Sequence, residues 1–481
     1  MSTEPSNAPP TEPKCTFVDF DGPDDPANPW NWPVGKRRLL SAIIALSTMF
    51  VAMGSSIFAK AIPSLMATHG ISREVSTLGV SLYVLGFATG PIIWSSLSEL
   101  KGRYLPLTTS MFGFSVFCFA TARSGNDLAS IFICRYFTGF FGAGPLTLAS
   151  AAFADMYRPK ELAPMITLYA LTVFLGPLIS QPIGGFIVLN ESLGWEWTEY
   201  LPGILGSVAF FSLLILLPES YRPVILARKA DRLRRETGDW SIISKHDTIA
   251  LDLRTVSREY LFLPLRMLAL DPIVLCMCTF GAFVYGLLYL FLTAYPIIFQ
   301  QIYHMNPGVG GLPYLGIMVG QCLCVIATLI YQRMWVFPRL HMNKGQMKPE
   351  WTIPLAIPGA AAFSAGLFWL GWSGYRGEVH WIVPTASGVL SGFGLLAMFV
   401  PSVSYIVNAR QNRSASAVAA HMLFRSIFGA VFPLFATYMF QSLGVEWACT
   451  LLGCVAALML PIPLILYLYG ERIRKSVKIE Y

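Results

Sequence analysis

Continuous apolar runs alternate with short polar segments along almost the whole chain. Each run is close to the ~20 residues that a helix needs to cross the hydrocarbon core of a bilayer, so the runs predict membrane-spanning helices. The apolar positions are continuous rather than alternating, which argues against a transmembrane β-barrel. The pattern predicts twelve spans, at residues 39–59, 75–97, 105–122, 128–154, 162–189, 201–218, 272–299, 310–332, 353–373, 380–407, 416–440 and 447–469.

A polar segment divides the predicted spans into two groups of six. The predicted fold class is therefore an all-α polytopic membrane protein with two six-helix bundles, a plan typical of transporters. The first 28 residues are rich in proline and aspartate and are expected to be disordered. The predicted parts are an N-terminal tail at 1–38, a bundle at 39–218, a central loop at 219–271, a second bundle at 272–469 and a C-terminal tail at 470–481.

The distribution of basic residues predicts which side of the membrane each loop occupies. Of the 34 lysines and arginines, four lie in the predicted outer loops, two lie inside spans, and the other 28 lie in segments assigned to the cytoplasm. The positive-inside rule then places both termini in the cytoplasm. The net charge of +7 therefore reflects membrane topology rather than nucleic-acid binding. We expect a plasma-membrane protein in contact with lipid, with the vacuolar membrane as the alternative.

Composition and spacing argue against an enzyme. Only 13% of the residues are charged and 54% are hydrophobic, whereas soluble domains are about one-quarter charged. None of the six histidines lies within one helical turn of another, and the nine cysteines show no disulfide or metal-site pattern, so no catalytic cluster, metal or cofactor is predicted. No Gly-x-x-x-x-Gly-Lys-Ser/Thr loop is present, which excludes an ATP-driven pump.

A charged residue interrupts the fourth predicted span. A charge at the centre of a membrane helix costs about 2.5–3.5 kcal/mol on insertion scales, so Arg135 should face a protein interior or a watery cavity. Gly139 and Gly142 follow at i+4 and i+7 and share its helical face. Small residues on that face predict close approach of another helix.

The fifth predicted span is rich in helix-disturbing residues, which are Gly176, Pro177, Pro182, Gly184 and Gly185. Each proline removes a backbone donor and crowds the preceding turn, so this helix is expected to bend. A bent, glycine-lined helix beside a buried cation is what we expect at the moving centre of a transporter.

The loop between spans 2 and 3 carries charges at a helix junction. Glu99, Gly102 and Arg103 provide a carboxylate, a glycine turn and a guanidinium, and Asp155 ends span 4 on the same side. We expect Arg103 to meet Asp155 in an ion-pair latch that favours one access state. The alternative is that these residues only cap helices and set the topology.

Aromatic side chains mark candidate positions for a substrate cavity. Span 7 carries Tyr285 and Tyr289, and span 11 carries Phe424, Arg425 and Phe428. Such surfaces suit flat apolar or cationic molecules, although aromatic residues in spans also simply pack against helices or lipid. Acidic residues, which a polyamine cavity would need, are scarce, so an apolar drug or secondary metabolite is favoured.

Several of these motifs resemble those of one family, the major facilitator superfamily. The loop from Gly90-Pro91 through Leu97-Ser98-Glu99 to Gly102-Arg103 resembles its signature loop. The fourth-span set Arg135, Gly139 and Gly142 and the fifth-span Gly176-Pro177 are similar to its fourth-span and antiporter motifs. Further similarity is carried by segments 21–29, 194–200, 218–221, 283–290 and 424–435.

The resemblance is specific to fungal drug:proton antiporters with twelve spans, close to the branch that includes polyamine exporters. Two departures stand out: Ser180-Gln181 replaces a second Gly-Pro, and Asn408 replaces a frequent acid. The resemblance implies a monomer that exports a small organic molecule in exchange for protons by alternating access. A polyamine exporter and an uptake carrier on the same fold are the alternatives. Asn190 begins an outward-facing glycosylation sequon, Asn190-Glu191-Ser192.

Overall fold

The computed structural model describes residues 16–125, 127–190, 192–244, 262–343, 347–410 and 414–476. These residues form the α-helices α1 (Val34–Ile57), α2 (Ile62–His69), α3 (Arg73–Lys101), α4 (Tyr104–Arg123), α5 (Leu128–Met156), α6 (Pro159–Leu189), α7 (Trp197–Leu216), α8 (Arg222–Thr237), α9 (Leu263–Leu270), α10 (Pro272–Tyr295), α11 (Tyr314–Tyr331), α12 (Phe337–Met342), α13 (Ala356–Gly374), α14 (Ile382–Ala409), α15 (Ser414–Met459) and α16 (Pro461–Ser476). Two short strands, β1 (Thr16–Phe17) and β2 (Ile242–Ile243), pair in parallel.

Within these ranges, eleven helical stretches are long and apolar enough to cross a membrane. The last of them, Ser416–Lys475, contains 60 residues, and at about 1.5 Å per residue it is roughly three times the thickness of the hydrocarbon core. Gly444 interrupts its helical geometry with φ 79° and ψ 162°. The break at Gly444 divides the stretch into two helical parts, each of which is long enough to cross the membrane once. The structure therefore supports the predicted count of twelve crossings.

The membrane helices form two groups that pack against each other. In the first half, α3 packs on α5 and α1 packs on α6; in the second, α10 packs on α15 and α14 packs on α11 and α13. The halves meet where α3 contacts α15 and where α6 contacts α11. We call this the inter-half interface, and it is the surface on which any alternation between access states has to act.

The two faces of the bundle are distinguished by the chain termini. The start of α1, the α5–α6 turn, α8 and the end of α16 lie on one face, called here the terminal face. On it Arg37 pairs with Glu161 at 2.7 Å, and Arg474 pairs with Glu350. The other face, called the opposite face, carries the end of α1 and the starts of α3 and α7.

Residues 16–28 have a defined conformation, so the expectation of disorder was wrong for these residues. Residues 1–15 lie outside the described ranges. Lys229 on α8 donates to Asp21 at 2.6 Å, and the Arg222 guanidinium lies 3.5 Å from the centre of the Trp30 ring. Hydrogen bonds from the N–H groups of Asp21 and Ala27 lower the pKa of the Asp25 carboxyl. Charge pairing and the β1–β2 contact thus hold the tail on α8.

Candidate functional site

Arg135 lies inside the first half and is fully buried. Its guanidinium donates to the carbonyl oxygens of Gly79 on α3 and of Gly54 and Ser55 on α1, at 2.9, 3.0 and 3.3 Å. The rings of Phe58 and Tyr83 lie 4.5 and 4.3 Å from it. Of the two predicted environments, the structure shows a protein interior. Arg135 therefore ties α5 to two neighbouring helices through backbone acceptors.

The counter-ion of Arg135 is Glu199, which sequence reasoning assigned to a loop because span 6 was predicted to begin at residue 201. In the structure α7 begins at Trp197, and Glu199 lies in its first turn with no exposed surface. Its Oε1 accepts from Arg135 at 2.9 Å, while its Oε2 has no hydrogen-bond partner. A buried cation without a visible acid in the same span was the signal that could have prompted a search for this residue.

The two glycines beside Arg135 meet different neighbours. A Cβ on Gly139 would lie 2.0 Å from the Tyr83 carbonyl oxygen of α3, so two backbones touch there. A Cβ on Gly142 would lie 2.7 Å from a methyl group of Val51, a side chain on α1. The predicted close helix approach is present, and at Gly139 it is a contact between main chains.

On the terminal face, Arg103 and Asp155 form the predicted ion pair, with Nε 2.8 Å from Oδ2. Arg103 also donates to Ser98 Oγ at 2.6 Å and lies over the Tyr221 ring at 4.4 Å. Burial raises the pKa of the Tyr221 hydroxyl, and the Arg103 charge opposes that rise. Glu99 lies on the last turns of α3 and is exposed. The predicted ion pair is thus present, and its action as a latch stays a prediction.

Glu219 is a member of this terminal-face cluster that sequence reasoning did not assign a role. Its carboxylate accepts from the N–H groups of Arg103 and Tyr104, at 2.9 and 3.3 Å. These are among the first N–H groups of α4, which lack partners inside their own helix. A carboxylate also suits the positive end of the helix dipole. Gly102 makes room for it, because a Cβ there would lie 2.1 Å from Glu219 Oε2.

The predicted antiporter-motif helix, α6, runs without interruption from Pro159 to Leu189 despite three internal prolines, which include Pro177 and Pro182. One side of it packs on α1: a Cβ on Gly176 would lie 2.6 Å from the Met49 carbonyl oxygen. Gly184 faces the end of α1, where a Cβ would lie 2.9 Å from the Ile57 side chain.

Another side of α6 faces the second half of the molecule. A Cβ on Gly185 would lie 2.1 Å from the Pro307 carbonyl oxygen, and a Cβ on Gly311 would lie 2.6 Å from Pro182 Cα. Where the family motif repeats Gly-Pro, Ser180 bonds Ser56 at 2.7 Å and Gln181 donates to the Ser56 carbonyl at 3.1 Å. The departure from the motif thus adds polar contacts between α6 and α1.

Tyr285 and Tyr289 lie at the inter-half interface. The Tyr289 hydroxyl is 2.8 Å from Ser55 Oγ in the first half, and 3.4 Å from the Tyr285 hydroxyl. The Tyr285 ring contacts Phe174 of α6 edge-on. The predicted aromatic cavity positions on span 7 are therefore buried between the halves.

Arg425 joins this group, since its guanidinium lies 4.8 Å from the Tyr285 ring and 5.1 Å from the Phe399 ring. Its neighbour on the helix, His421, is 3.3 Å from Ser402 Oγ. Phe424 and Phe428 are half-buried, and their ring centres lie 5.1 Å apart at an interplanar angle of 49°, in a row that continues along α15. The structure thus brings Arg425 into contact with Tyr285, while the phenylalanines contact each other.

Asn190, the candidate glycosylation site, follows the end of α6 on the opposite face. Its side-chain oxygen accepts from the N–H and the hydroxyl of Ser192, at 3.2 and 2.6 Å. In the described part of the chain, no three histidine, cysteine, aspartate or glutamate side chains group as metal ligands would. The arrangement of ion pairs, close helix contacts and a polar interface is suited to movement of helices rather than to bond-making chemistry.

Comparisons with known proteins agree with this architecture. The profile of the Major Facilitator Superfamily matches residues 44–433. The Candida albicans multidrug transporter FLU1 is 41% identical over 96% of this chain and 76% of its own length. The Candida glabrata multidrug transporter TPO1_2 is 41% identical over 98% of this chain and 82% of its length. The citrinin biosynthesis cluster transporter mrr1 of Monascus ruber is 39% identical over 98% and 94%.

Solved structures share the fold at low sequence identity. The proton:xylose symporter XylE superposes with a TM-score of 0.65 at 16% identity, over 90% of this chain and 96% of that chain. The human organic anion transporter MFSD10 gives 0.62 at 15% identity, over 89% and 99%. With the apolar helices and the fungal relatives, these matches identify a multi-pass membrane transporter rather than an enzyme. The chain belongs to the Major Facilitator Superfamily, and within it to the fungal drug transporters.

Proposed function

We propose that this transporter exports small organic molecules from the cytoplasm in exchange for protons. The terminal face is then cytoplasmic, in agreement with the positive-inside count. The relatives named as multidrug transporters support a drug or metabolite as cargo. The proposed location is the plasma membrane, because export across it removes a molecule from the cell. One chain contains both six-helix bundles, so the proposed transporter is a monomer.

The observation that carries the proton coupling is the buried pair of Arg135 and Glu199. Ionisable groups inside a membrane are costly and mark proton or ion pathways. Glu199 offers a carboxylate whose Oε2 has no partner, so a proton can be added there without displacing an existing hydrogen bond. Protonation removes the charge that Arg135 faces, and Arg135 in turn holds carbonyls of α1 and α3. In our proposal Glu199 carries the proton and Arg135 transmits its arrival to the helices.

On the cytoplasmic face, the Arg103–Asp155 pair is proposed to close one access state. Both residues belong to the first half, so breaking the pair releases the α3–α4 junction from the end of α5 within that half. Because α3 also contacts α15, this release loosens the inter-half interface on that face. On the other side of the membrane, α6 contacts the second half through Gly185 and Pro182. Alternating access then means exchanging these two sets of contacts.

The first test is the accumulation of a fluorescent drug in yeast cells with and without the protein. For proton-driven export, we expect cells with the protein to accumulate less drug, and we expect a protonophore to abolish this difference. Higher accumulation in cells with the protein would contradict export and indicate uptake.

The test of the proton carrier is Glu199→Gln. Glutamine retains an oxygen that accepts from Arg135 but cannot ionise, so we expect loss of drug movement driven by a pH gradient and retention of drug exchange at equal pH. Glu378→Gln, an exposed acid on the opposite face, is the matched control and should behave like the wild type. Proton-driven transport that survives Glu199→Gln would rule out this carrier. Asp155→Asn would then test whether the acid of the terminal-face ion pair carries the proton instead.

A further inference from the structure

A cavity of about 130 Å³ lies between the halves near the opposite face. A buried water needs about 10–15 Å³ of such space, so the cavity accommodates several waters or a small polar group. Lys60, Arg73 and Gln181 line it from the first half, and Thr293 and Gln300 line it from the second. A ligand here would touch both halves and would leave when they part.

The charge of this cavity is positive. Lys60 is only 6% exposed, and its ammonium has no hydrogen-bond partner. Arg73 stands beside it on the wall, and none of the described residues that line the cavity is acidic. An unpaired buried ammonium is strongly unfavourable, so an anion or a water molecule at Lys60 would stabilise its charged form.

Gln181 restricts the ligand further. Its amide nitrogen already donates to the Ser56 carbonyl and lies 3.1 Å from Ser180 Oγ, while its Oε1 has no partner. The free group is thus an acceptor. A ligand with both an anionic group and a hydroxyl or N–H donor would satisfy Lys60 and Gln181 together.

A second buried cation lies on the same interface, deeper in the membrane. Arg425 is 6% exposed, and its Nε has no partner. Within the described part of the chain, no acidic side chain pairs with it or with Lys60. The rings of Tyr285 and Phe399 flank it, which stabilises the guanidinium in part. An aromatic anion would neutralise the charge of the Arg425 guanidinium and would add a further ring contact to it.

We propose that the cargo is an aromatic carboxylate, bound first at Arg425 and then at Lys60 and Arg73 before release. This inference rests on the proposed export function and narrows its substrate class. The sequence expectation was an apolar drug or secondary metabolite, argued from aromatic residues and from the scarcity of acidic ones. That expectation did not consider whether the buried cations had partners.

The test compares two ligands that differ in charge and share one ring system, 3-hydroxy-2-naphthoate and 3-hydroxy-2-naphthamide. Binding is measured by ligand fluorescence with the purified full chain in detergent. The carboxylate should bind about tenfold or more tightly than the amide, since a charge-assisted hydrogen bond contributes about 1.5–3 kcal/mol. Equal affinities would overturn the proposal.

Variants then assign the sites. The double variant Arg425→Gln/Lys60→Gln should weaken carboxylate binding by about tenfold or more and leave amide binding unchanged. Arg425→Gln and Lys60→Gln alone should each cause a smaller loss, because the other site remains. Lys60→Arg should restore most of the affinity, which separates loss of charge from loss of folding. Arg123→Gln, an exposed arginine on the same face as Lys60, is the matched control. Unchanged carboxylate affinity in both glutamine variants would contradict the assignment.

A free inorganic anion is the other ligand of the same chemistry. Replacing chloride by gluconate in the binding buffer distinguishes chloride from the carboxylate as the ligand of Lys60. If Lys60→Gln abolishes chloride binding but leaves carboxylate affinity unchanged, the assignment of a cargo site to Lys60 is wrong. If a neutral dye is exported in a protonophore-sensitive manner and the carboxylate neither binds nor moves, this inference fails and the proposed export function stands.

Discussion

Glu199 keeps a carboxylate inside the membrane because Arg135 lies 2.9 Å away, and Arg135 is tolerated there because three backbone carbonyls share its charge. Removing one member of a buried pair typically costs about 3–5 kcal/mol, because the other charge stays behind without compensation. At Gly102, too, a change at one residue would disturb a buried contact. A single Cβ there would occupy the space of the Glu219 carboxylate that caps α4.

Gly102→Ala is expected to lower the free energy of unfolding by about 1–3 kcal/mol, through backbone strain and loss of the Glu219 contacts. Gly102 has a φ of 87° and Gly238 has a φ of 71°, but a Cβ on Gly238 meets no atom within 4 Å. Gly238→Ala is therefore a control for positive φ without a steric clash. Gly102, with ψ −174°, lies in a region that is essentially restricted to glycine, whereas Gly238, with ψ 3°, lies in the left-handed helical region, so Gly102→Ala carries the larger strain as well as the lost contacts. Thermal unfolding in detergent measures both variants, and equal shifts would show that the Glu219 cap contributes nothing.

Among the helices, α3 and α5 form the closest crossing near Arg135. The contact is reciprocal, since a Cβ on Gly86 of α3 would lie 2.4 Å from the Phe140 nitrogen of α5, as one on Gly139 would meet Tyr83. Van der Waals contact between backbones drives helix association where lipid offers no hydrophobic gain. In α6 the glycines contact both halves of the molecule: Gly176 packs against Met49 in the first half, and Gly185 packs against Pro307 in the second.

Gly139→Ala and Gly142→Ala test the importance of backbone contact. The added methyl at residue 139 meets a carbonyl oxygen that cannot move alone, whereas at residue 142 it meets the end of the Val51 side chain. We expect Gly139→Ala to destabilise the protein by about 1–3 kcal/mol and Gly142→Ala by less. Folded yield after size-exclusion chromatography and thermal unfolding report the difference. A larger effect at Gly142 would contradict this description of the crossing.

Across the whole molecule, polar contacts join the halves at several depths. Ser81 Oγ donates to the Ala430 carbonyl at 2.6 Å, and Ser55 Oγ bonds the Tyr289 hydroxyl at 2.8 Å. Near the terminal face, Gln332 donates to Thr167 at 3.1 Å. These bonds hold the halves together on both sides of the membrane, so each access state requires some of them to break.

Tyr289→Phe removes one of these bonds and retains the ring. One hydrogen bond contributes about 0.5–1.5 kcal/mol, so the population of states with separated halves should rise about two- to tenfold. Hydrogen exchange should then accelerate in the opposite-face segments 296–311 and 58–63 and remain unchanged in α8. Tyr169→Phe, which removes a hydroxyl bonded within the first half to the Leu146 carbonyl, is the control. Equal exchange in both variants would contradict the role of the Ser55–Tyr289 bond.

Local pattern determined much of this molecule. The long apolar runs predicted the helices and the twelve crossings, because a bilayer demands about 20 apolar residues in each. The cost of a charge in that setting singled out Arg135, and charged residues at helix ends predicted the Arg103–Asp155 pair. These properties depend on neighbours along the chain and on the solvent, both of which are visible in a sequence.

Only the tertiary structure determined which residues that are distant in the sequence contact each other. Glu199 is 64 residues from Arg135, and it was placed in a loop because the sequence pattern gives helix ends only approximately. The Glu219 cap and the unpaired state of Lys60 and Arg425 likewise depend on which distant groups pack beside them. Pairing is a property of three-dimensional distance, so one sequence can indicate that a buried charge needs a partner without indicating which residue provides it.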